Sequence, residues 1–155
     1  MTGSAIVRSL SRNTCFLDVK LAEMHGAAEA FLADAEALGA RSSPGQYLLI
    51  AHSSELALKA YLYRNGFTLE GLQYLAQDLT KLLNEARRSG LATSNVLTDN
   101  ILFRLKQAIG RAATRCEFSV ENLPPAGDVI LVARSLLRDT TPELANVCSI
   151  SNRKH

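Results

Sequence analysis

The sequence predicts an all-α fold, an up-down bundle of four long helices and a shorter fifth one. Leucine and alanine number 25 and 21, against 13 valines and isoleucines together, and this bias favours helix over pleated sheet. Apolar residues recur at three- and four-residue spacing, and glycine and proline interrupt the pattern at lengths suited to helices. We expect a single domain over residues 16–139, a flexible segment over 1–15 and a polar tail over 140–155.

The first two helices have clear start and stop signals. Apolar residues at helical spacing predict a first helix over 16–38, which ends at Gly39 because glycine readily adopts the left-handed conformation found at helix ends. Ser43 followed by proline is a favourable helix start, so we predict a second helix over 44–65 that stops at Gly66. We expect these two helices to pack antiparallel, because the connection between them is short.

Three further helices are predicted in the rest of the chain. Residues 67–77 are expected to form a connector with no more than one short turn of helix. A third helix follows over about 78–90, and a fourth over about 95–115 carries an apolar stripe that is expected to bury Cys116. After a Pro-Pro pair, which cannot lie inside a helix, a fifth helix is predicted over about 128–137.

The stretch "HSSELALKAYLYRNG", residues 52–66, places a carboxylate and an ammonium among apolar and small residues. Glu55 precedes Lys59 by four positions, the better orientation for an ion pair on a helix. Because this helix has apolar residues on several sides, we expect it to be central and the pair to be buried and mutually bonded. Removing one partner of a buried pair costs about 3–5 kcal/mol, so a structural role is favoured over a catalytic one.

Composition and motifs indicate which classes of ligand, cofactor and enzyme the sequence supports. The net charge of +2 neither requires nor excludes a nucleic-acid partner. Cys15, Cys116 and Cys148 are far apart and have no histidine at ligand spacing, so we expect free thiols, no metal and no other cofactor. No phosphate-binding glycine loop, serine-hydrolase motif or zinc-protease motif occurs. His25 is expected on the surface or at an interface, within reach of Glu29.

The expected location is the cytoplasm, with no membrane association. No stretch approaches the roughly 18 apolar residues of a membrane span, and the first residues lack the apolar core of a secretory signal. A transit peptide is the alternative for these first residues, since they contain Arg8 and Arg12 and no acidic residue before Asp18.

Two stretches resemble the signature of HEPN domains, small all-α proteins named for higher eukaryotes and prokaryotes nucleotide binding. They are "HSSELALKAYLYRNGF" and, further along the chain, "LAQDLTKLLNEARRSGL". The shared features are a Glu-x-x-x-Lys helix closed by glycine, an Asp-Leu pair that opens the next helix, and an Ala-x-x-x-Gly-Leu that ends it. The similarity covers residues 47–91, and the later "LPPAGDVILVARSLL" resembles the last HEPN helix more loosely. The resemblance implies a HEPN-like bundle.

The resemblance also implies a class of function. Many HEPN relatives carry a histidine before the Asp-Leu pair, where this chain has Gln77 ahead of Asp78 at the helix-cap position, and the Arg-x4-6-His motif of HEPN ribonucleases is absent. The chain therefore resembles a non-catalytic binding or regulatory module of a prokaryotic toxin–antitoxin or defence system. Such a module would be a homodimer, would bind nucleotide or RNA, and would act beside a nucleotidyltransferase or an antitoxin-like partner. The alternative is a divergent ribonuclease that uses His52 with an arginine of the second subunit.

Arg104, Arg111 and Arg115 fall along one edge of the predicted fourth helix. One interpretation is a phosphate-binding ridge for RNA or a nucleotide, with His52 as a further candidate contact. The other is a solvated helix face whose arginines pair with acids of a neighbouring helix or of a second subunit. We favour the second interpretation, because single-strand binding is usually accompanied by interleaved aromatic residues, which the pattern lacks.

Overall fold

The structure is a computed structural model that describes the backbone of residues 3–141 and the side chains of residues 19–141. Every regular element in that range is an α-helix, which confirms the all-α prediction. None of these helices combines the length and the hydropathy that a bilayer crossing needs. In chain order they are α1 (Gly3–Ala37), α2 (Pro44–Arg64), α3 (Leu69–Leu75), α4 (Leu79–Arg88), α5 (Thr98–Arg115) and α6 (Ala126–Asp139).

Two differences from the predicted helices lie in the first half of the chain. Helix α1 begins at Gly3 rather than at residue 16, because neither proline nor a further glycine interrupts the intervening residues. The predicted connector over 67–77 contains the short helix α3. Its start is capped by Thr68, whose side-chain oxygen accepts a hydrogen bond from the Gly71 amide at 3.0 Å. The described range therefore holds one short helix more than predicted.

Helix α5 differs from the prediction at both ends. It begins at Thr98 rather than at residue 95, because the Asn95 side-chain oxygen accepts a hydrogen bond from the Leu97 amide at 2.9 Å and forms a turn ahead of the helix. At the other end Cys116 has a left-handed φ of 55° and is exposed. The prediction that Cys116 is buried was wrong, because this residue caps the helix instead of continuing its stripe.

The C-terminal tail was predicted to begin at residue 140, and residues 142–155 lie outside the described range. Thr140 itself belongs to the bundle, where it is fully buried. Its hydroxyl donates to the Leu136 carbonyl oxygen at 3.0 Å, and Arg64 Nη2 donates to the Thr140 carbonyl oxygen at 3.1 Å. The end of α6 is therefore attached to the end of α2.

Helix α2 is the central element and contacts each of the other five helices. Helix α1 packs antiparallel to α2, as predicted. Residues later in α2 contact residues earlier in α1. Gln46 bonds to Ala35 near the start of α2, and the Ser53 hydroxyl donates to the Ala28 carbonyl oxygen at 2.7 Å two turns later. Small residues on α2 allow this close approach of the two backbones.

The turn between α1 and α2 is held by Gln46, whose side chain is fully buried. Its Nε2 donates to the carbonyl oxygens of Ala35 at 2.8 Å and Gly39 at 2.7 Å, and its Oε1 accepts from the Ser42 amide at 2.9 Å. These bonds satisfy carbonyl groups that a helix leaves without partners at its C-terminus. The spacing Ser-x-x-Gln, typical of a capping box, is the sequence signal for this residue.

The same turn fixes the start of α6. Ser42 adopts a positive φ of 50°, and its hydroxyl oxygen accepts a hydrogen bond from the Ala126 amide at 3.1 Å. The Tyr47 hydroxyl donates to the Pro124 carbonyl oxygen at 2.6 Å, and its ring stacks on Phe118 with centroids 6.4 Å apart. The loop before α6 is therefore attached to the start of α2.

Polar contacts hold the N-terminal end of α5 from two sides. Arg87 at the end of α4 forms a two-bond ion pair with Asp99, and this hydrogen bonding lowers the pKa of the Asp99 carboxyl. The Asp139 carboxylate accepts from the amide and the hydroxyl of Ser94, at 2.7 Å and 3.0 Å. These contacts connect the start of α5 with α4 and with the end of α6.

His25 is buried within the chain itself, whereas it was predicted to lie on the surface or at an interface, within reach of Glu29. Its exposed fraction is 7%, and neither ring nitrogen has a hydrogen-bond partner among the described residues. The prediction failed because His25 shares one helical stripe with the buried Leu21 and Ala28. Burial lowers the pKa of His25, the nearby Arg64 cation lowers it further, and the Glu29 carboxylate partly offsets both.

We predict that the protein loses stability as the pH falls below about 6.5, because the His25 imidazole then protonates more readily in the unfolded chain than in the fold. Linkage limits the loss to about 1.4 kcal/mol per pH unit for one group. Asp78 and Asp99 have lowered pKa values, so their contribution is lost only below their ordinary value of 3.8.

Urea unfolding at about pH 7.5 and about pH 5.5 measures this difference. The His25→Phe variant, which cannot titrate at this position, should lose less stability between the two conditions than the natural chain. Equal losses in the two proteins would show that His25 does not couple folding to pH.

Candidate functional site

The polar pair of α2 is closely bonded and largely buried. Lys59 Nζ donates to Glu55 Oε1 at 2.6 Å, and the two side chains are 18% and 12% exposed. The second carboxylate oxygen of Glu55 lies 3.6 Å from His52 Nδ1, beyond a good hydrogen bond. The Glu55 carboxylate is thus occupied by Lys59 rather than directed at a ligand.

His52, Glu55 and Gln77 line one small cavity between α2 and the start of α4. Its volume is about 40 Å³, and Leu48, Ala51, Leu79 and Ile109 complete its walls. A space of this size holds about one water molecule. Glu55 and Leu79 of the HEPN-like stretches therefore lie together with His52 and Gln77, but in a cavity too small for a nucleotide.

Asp78 acts as the N-cap of α4. Its Oδ1 accepts from the Lys81 amide at 3.1 Å, and its Oδ2 lies 3.0 Å from Lys106 Nζ on α5. Burial raises the pKa of the Asp78 carboxyl, but the hydrogen bonds from Lys106 and from the Lys81 amide outweigh it and the pKa is lowered. Gln77, which precedes this cap, is exposed and donates no capping bond.

A larger cleft of about 400 Å³ lies along α5 and contains two of the predicted arginines. Arg104 Nη1 donates to the Asn122 carbonyl oxygen at 3.1 Å, which attaches α5 to the loop before α6. Arg111 lies two turns further along the same helix. The lining residues are Asn100, Phe103, Arg104, Gln107, Ala108, Arg111, Ser119, Asn122 and Leu123.

The arginines of α5 do not pair with acids of a neighbouring helix. Within residues 19–141, no carboxylate lies within ion-pair distance of Arg104, Arg111 or Arg115. Arg115 is exposed and lines neither of the clefts beside α5. Arg104 and Arg111 therefore present guanidinium groups to the first cleft.

The sequence interpretation of this helix also missed an aromatic residue. Phe103 directly precedes Arg104 in α5. It is 48% exposed and lines the same cleft as the two arginines. A single aromatic residue between cations carries little weight in a sequence pattern. The loop over 116–125 closes the cleft opposite it, and no local sequence signal predicts where that loop lies.

A second cleft of about 250 Å³ lies between α5 and α6 and shares Arg104 and Asn100 with the first. Its walls are mainly apolar, and Leu97 and Leu131 are 54% and 58% exposed at its mouth. The other lining residues are Asn95, Ile101, Pro124, Asp128 and Val132. The two clefts form one continuous surface, cationic along α5 and apolar towards α6, which we call the α5–α6 surface.

Comparison of the chain with known proteins finds no matching family model, no similar curated protein and no similar solved structure. The HEPN assignment therefore stays a prediction from the resemblance of residues 47–91. No functional residue is transferred from a relative, and the site is argued from its own geometry.

We predict that Lys59→Met lowers the free energy of unfolding by about 2 kcal/mol, because it leaves the Glu55 carboxylate without its cation. The loss is below the about 3–5 kcal/mol of a fully buried pair, since the Lys59 and Glu55 side chains remain 18% and 12% exposed. In a Glu55→Gln background the same change should cost about 1 kcal/mol less, since the two residues interact directly. Lys20→Met is the control. Its partner Glu23 is 62% exposed, so we expect an effect within about 0.5 kcal/mol. Equal costs for Lys59→Met and Lys20→Met, measured by urea unfolding, would mean that the α2 pair is dispensable.

Proposed function

We propose that this chain is a non-catalytic binding module whose cleft along α5 takes a phosphate-bearing ligand, either a nucleotide or single-stranded RNA. The observation that carries the proposal is the pair of arginines, Arg104 and Arg111, that line one cleft without a carboxylate partner among the described residues. Guanidinium groups bind phosphate oxygens through two parallel hydrogen bonds.

The remaining lining of the cleft suits the same ligand. Phe103 offers an exposed ring on which a neighbouring base of single-stranded RNA can stack, which contributes about 1–3 kcal/mol per base. Asn100, Gln107 and Asn122 offer side-chain amides that both donate and accept. The combined volume of the two clefts falls within the roughly 300–1,000 Å³ of small-molecule sites.

The charge distribution indicates that a phosphate-bearing ligand is attracted by α5 rather than by the protein as a whole. Helix α5 contains four basic residues and one acidic residue, and that acid, Asp99, is paired with Arg87 of α4. The whole chain carries a net charge of only +2. Affinity for a polyanion should therefore depend on the few cations of this helix.

The resemblance to HEPN domains extends the proposal to the setting of the protein. We propose a HEPN-like up-down bundle that forms a homodimer and serves in a prokaryotic toxin–antitoxin or defence system. A nucleotidyltransferase or an antitoxin-like protein would be its partner. These proposals rest on the sequence resemblance, whereas the ligand proposal rests on the cleft.

A ribonuclease is the second candidate, and one observation favours it. The His52 side chain is 48% exposed and lies beside the Glu55 carboxylate, an arrangement that can support general acid–base chemistry. The cavity at His52 is nevertheless small, about 40 Å³, and the Glu55 carboxylate beside it is bonded to Lys59. We therefore rank this candidate below the binding module.

We predict that Arg111→Gln weakens binding of a mixed-sequence single-stranded RNA and of a nucleoside monophosphate by about tenfold, because one guanidinium–phosphate contact is lost. The slope of log affinity against log salt for the RNA should fall by about 0.7. Arg88→Gln is the matched control, since Arg88 is exposed at the end of α4 and pairs with Glu85. Fluorescence anisotropy and calorimetry measure both ligands.

Four results would overturn the proposal. Absence of binding by the natural chain, or equal affinities for Arg111→Gln and Arg88→Gln, would contradict a phosphate site on α5. A shifted monomer–dimer equilibrium in the triple Arg104, Arg111 and Arg115→Gln variant, with RNA binding unchanged, would assign the arginines to acids of a second copy. Cleavage of the RNA that is lost in His52→Ala would replace the proposal with the ribonuclease.

A further inference from the structure

We infer that the cleft between α5 and α6 is a base-binding subsite selective for guanine, with Asp128 as the residue that determines the selectivity. The inference rests on the proposed function, since it assigns the base of the same phosphate-bearing ligand. The observation behind it is a carboxylate, Asp128, that lines the apolar second cleft but not the cationic first cleft.

The positions of the charges orient the ligand. Arg111 lines only the first cleft, Asp128 lines only the second, and Arg104 lines both. A phosphate is attracted by the arginines and repelled by the carboxylate, so it occupies the first cleft. The base attached to that phosphate then extends past Arg104 into the second cleft.

The second cleft has the lining that a planar base requires. Leu97 on one side and Leu131 on the other are more than half exposed, although both are large apolar residues. Ile101 and Val132 form the buried floor. A base placed between these side chains would remove apolar surface from water on both of its faces.

Asp128 determines which base fits. It is exposed, and its carboxylate has no hydrogen-bond or ion-pair partner among the described residues. An ionised carboxylate only accepts hydrogen bonds, through two oxygens side by side. Guanine is the one common RNA base whose pairing edge presents two adjacent donors, a ring N–H and an amino group. Adenine, cytosine and uracil each place an acceptor next to their donor, and a carboxylate oxygen would repel that acceptor.

The amide side chains of the cleft complement the rest of a guanine. Asn95 uses its side-chain oxygen to accept the Leu97 amide, which leaves its NH2 group as the donor for a ligand. Asn100 lines both clefts and supplies a second amide. In guanine the carbonyl oxygen O6 and the ring nitrogen N7 are acceptors, so they match these donors.

The test compares the affinities of guanosine, inosine and adenosine 5′-monophosphate by calorimetry. We expect guanosine monophosphate to bind about tenfold more tightly than adenosine monophosphate, because only guanine makes the bidentate contact with the carboxylate. Inosine monophosphate lacks the amino group and should bind with intermediate affinity. In Asp128→Asn the preference should fall below about twofold, while Asp34→Asn, a matched change at an exposed aspartate of α1, should leave it unchanged.

The second arm of the test compares two single-stranded RNAs. One is an oligouridine with a single guanosine, and the other has adenosine at that position. A preference seen for the oligonucleotide alone would identify RNA as the source of the base, and one seen for the mononucleotide as well would identify the free nucleotide. Equal affinities for the three mononucleotides and for both RNAs, with binding still dependent on Arg111, would overturn the guanine inference and keep the phosphate site. Absence of all binding would overturn both. The affinities of the three mononucleotides are measured with the natural chain, so they test the guanine preference even if Asp128→Asn does not fold.

Discussion

The buried side-chain amide of Gln46 fixes the turn between α1 and α2, and the residues of this turn and of the start of α2 hold the beginning of α6. It bonds to two carbonyl groups at the end of α1 and to the amide of Ser42. Ser42, held in this way, caps the start of α6 at Ala126, and the neighbouring Tyr47 holds Pro124. Since Pro124 lines the second cleft, the shape of the α5–α6 surface depends on the turn between α1 and α2, which is far from α5 in sequence. Breaking this contact would strand several buried polar groups at once, each at a cost of about 1–3 kcal/mol.

Helix α2 shows why the most unusual residues of a sequence need not be its site. Because α2 touches every other helix, it has little surface left for a ligand. Glu55 and Lys59 satisfy one another there, and their cavity admits about one water molecule. Helix α5 contacts fewer neighbours and leaves Phe103, Arg104 and Arg111 beside open volume. The chemistry that a ligand could use is therefore found at the edge of the bundle, not at its centre.

The sequence predicted those features that depend on local interactions. Helix α2 follows from Ser43 and the proline after it, and the start of α4 from the cap at Asp78. The features that it missed depend on contacts between distant segments. His25 is an exception, because its place on one stripe with Leu21 and Ala28 was visible in the sequence and was outweighed by the expected pairing with Glu29. The arginines of α5 line a cleft only because the distant loop that contains Asn122 packs beside them. The Ser-x-x-Gln spacing signals Gln46 as a capping residue, but the bond from the Ala126 amide to the Ser42 hydroxyl, 84 residues away, has no local signal.

Backbone amide chemical shifts, followed by NMR during a titration with guanosine 5′-monophosphate, test most directly where this protein binds its ligand. We predict that the shifts change along α5 and at the start of α6, with the largest changes near Asn100, Arg104 and Asp128. Changes confined to residues 52–55 and Gln77 would place the ligand at the cavity of α2 instead. Such a result, or the absence of any change at millimolar nucleotide, would contradict a ligand site on the α5–α6 surface.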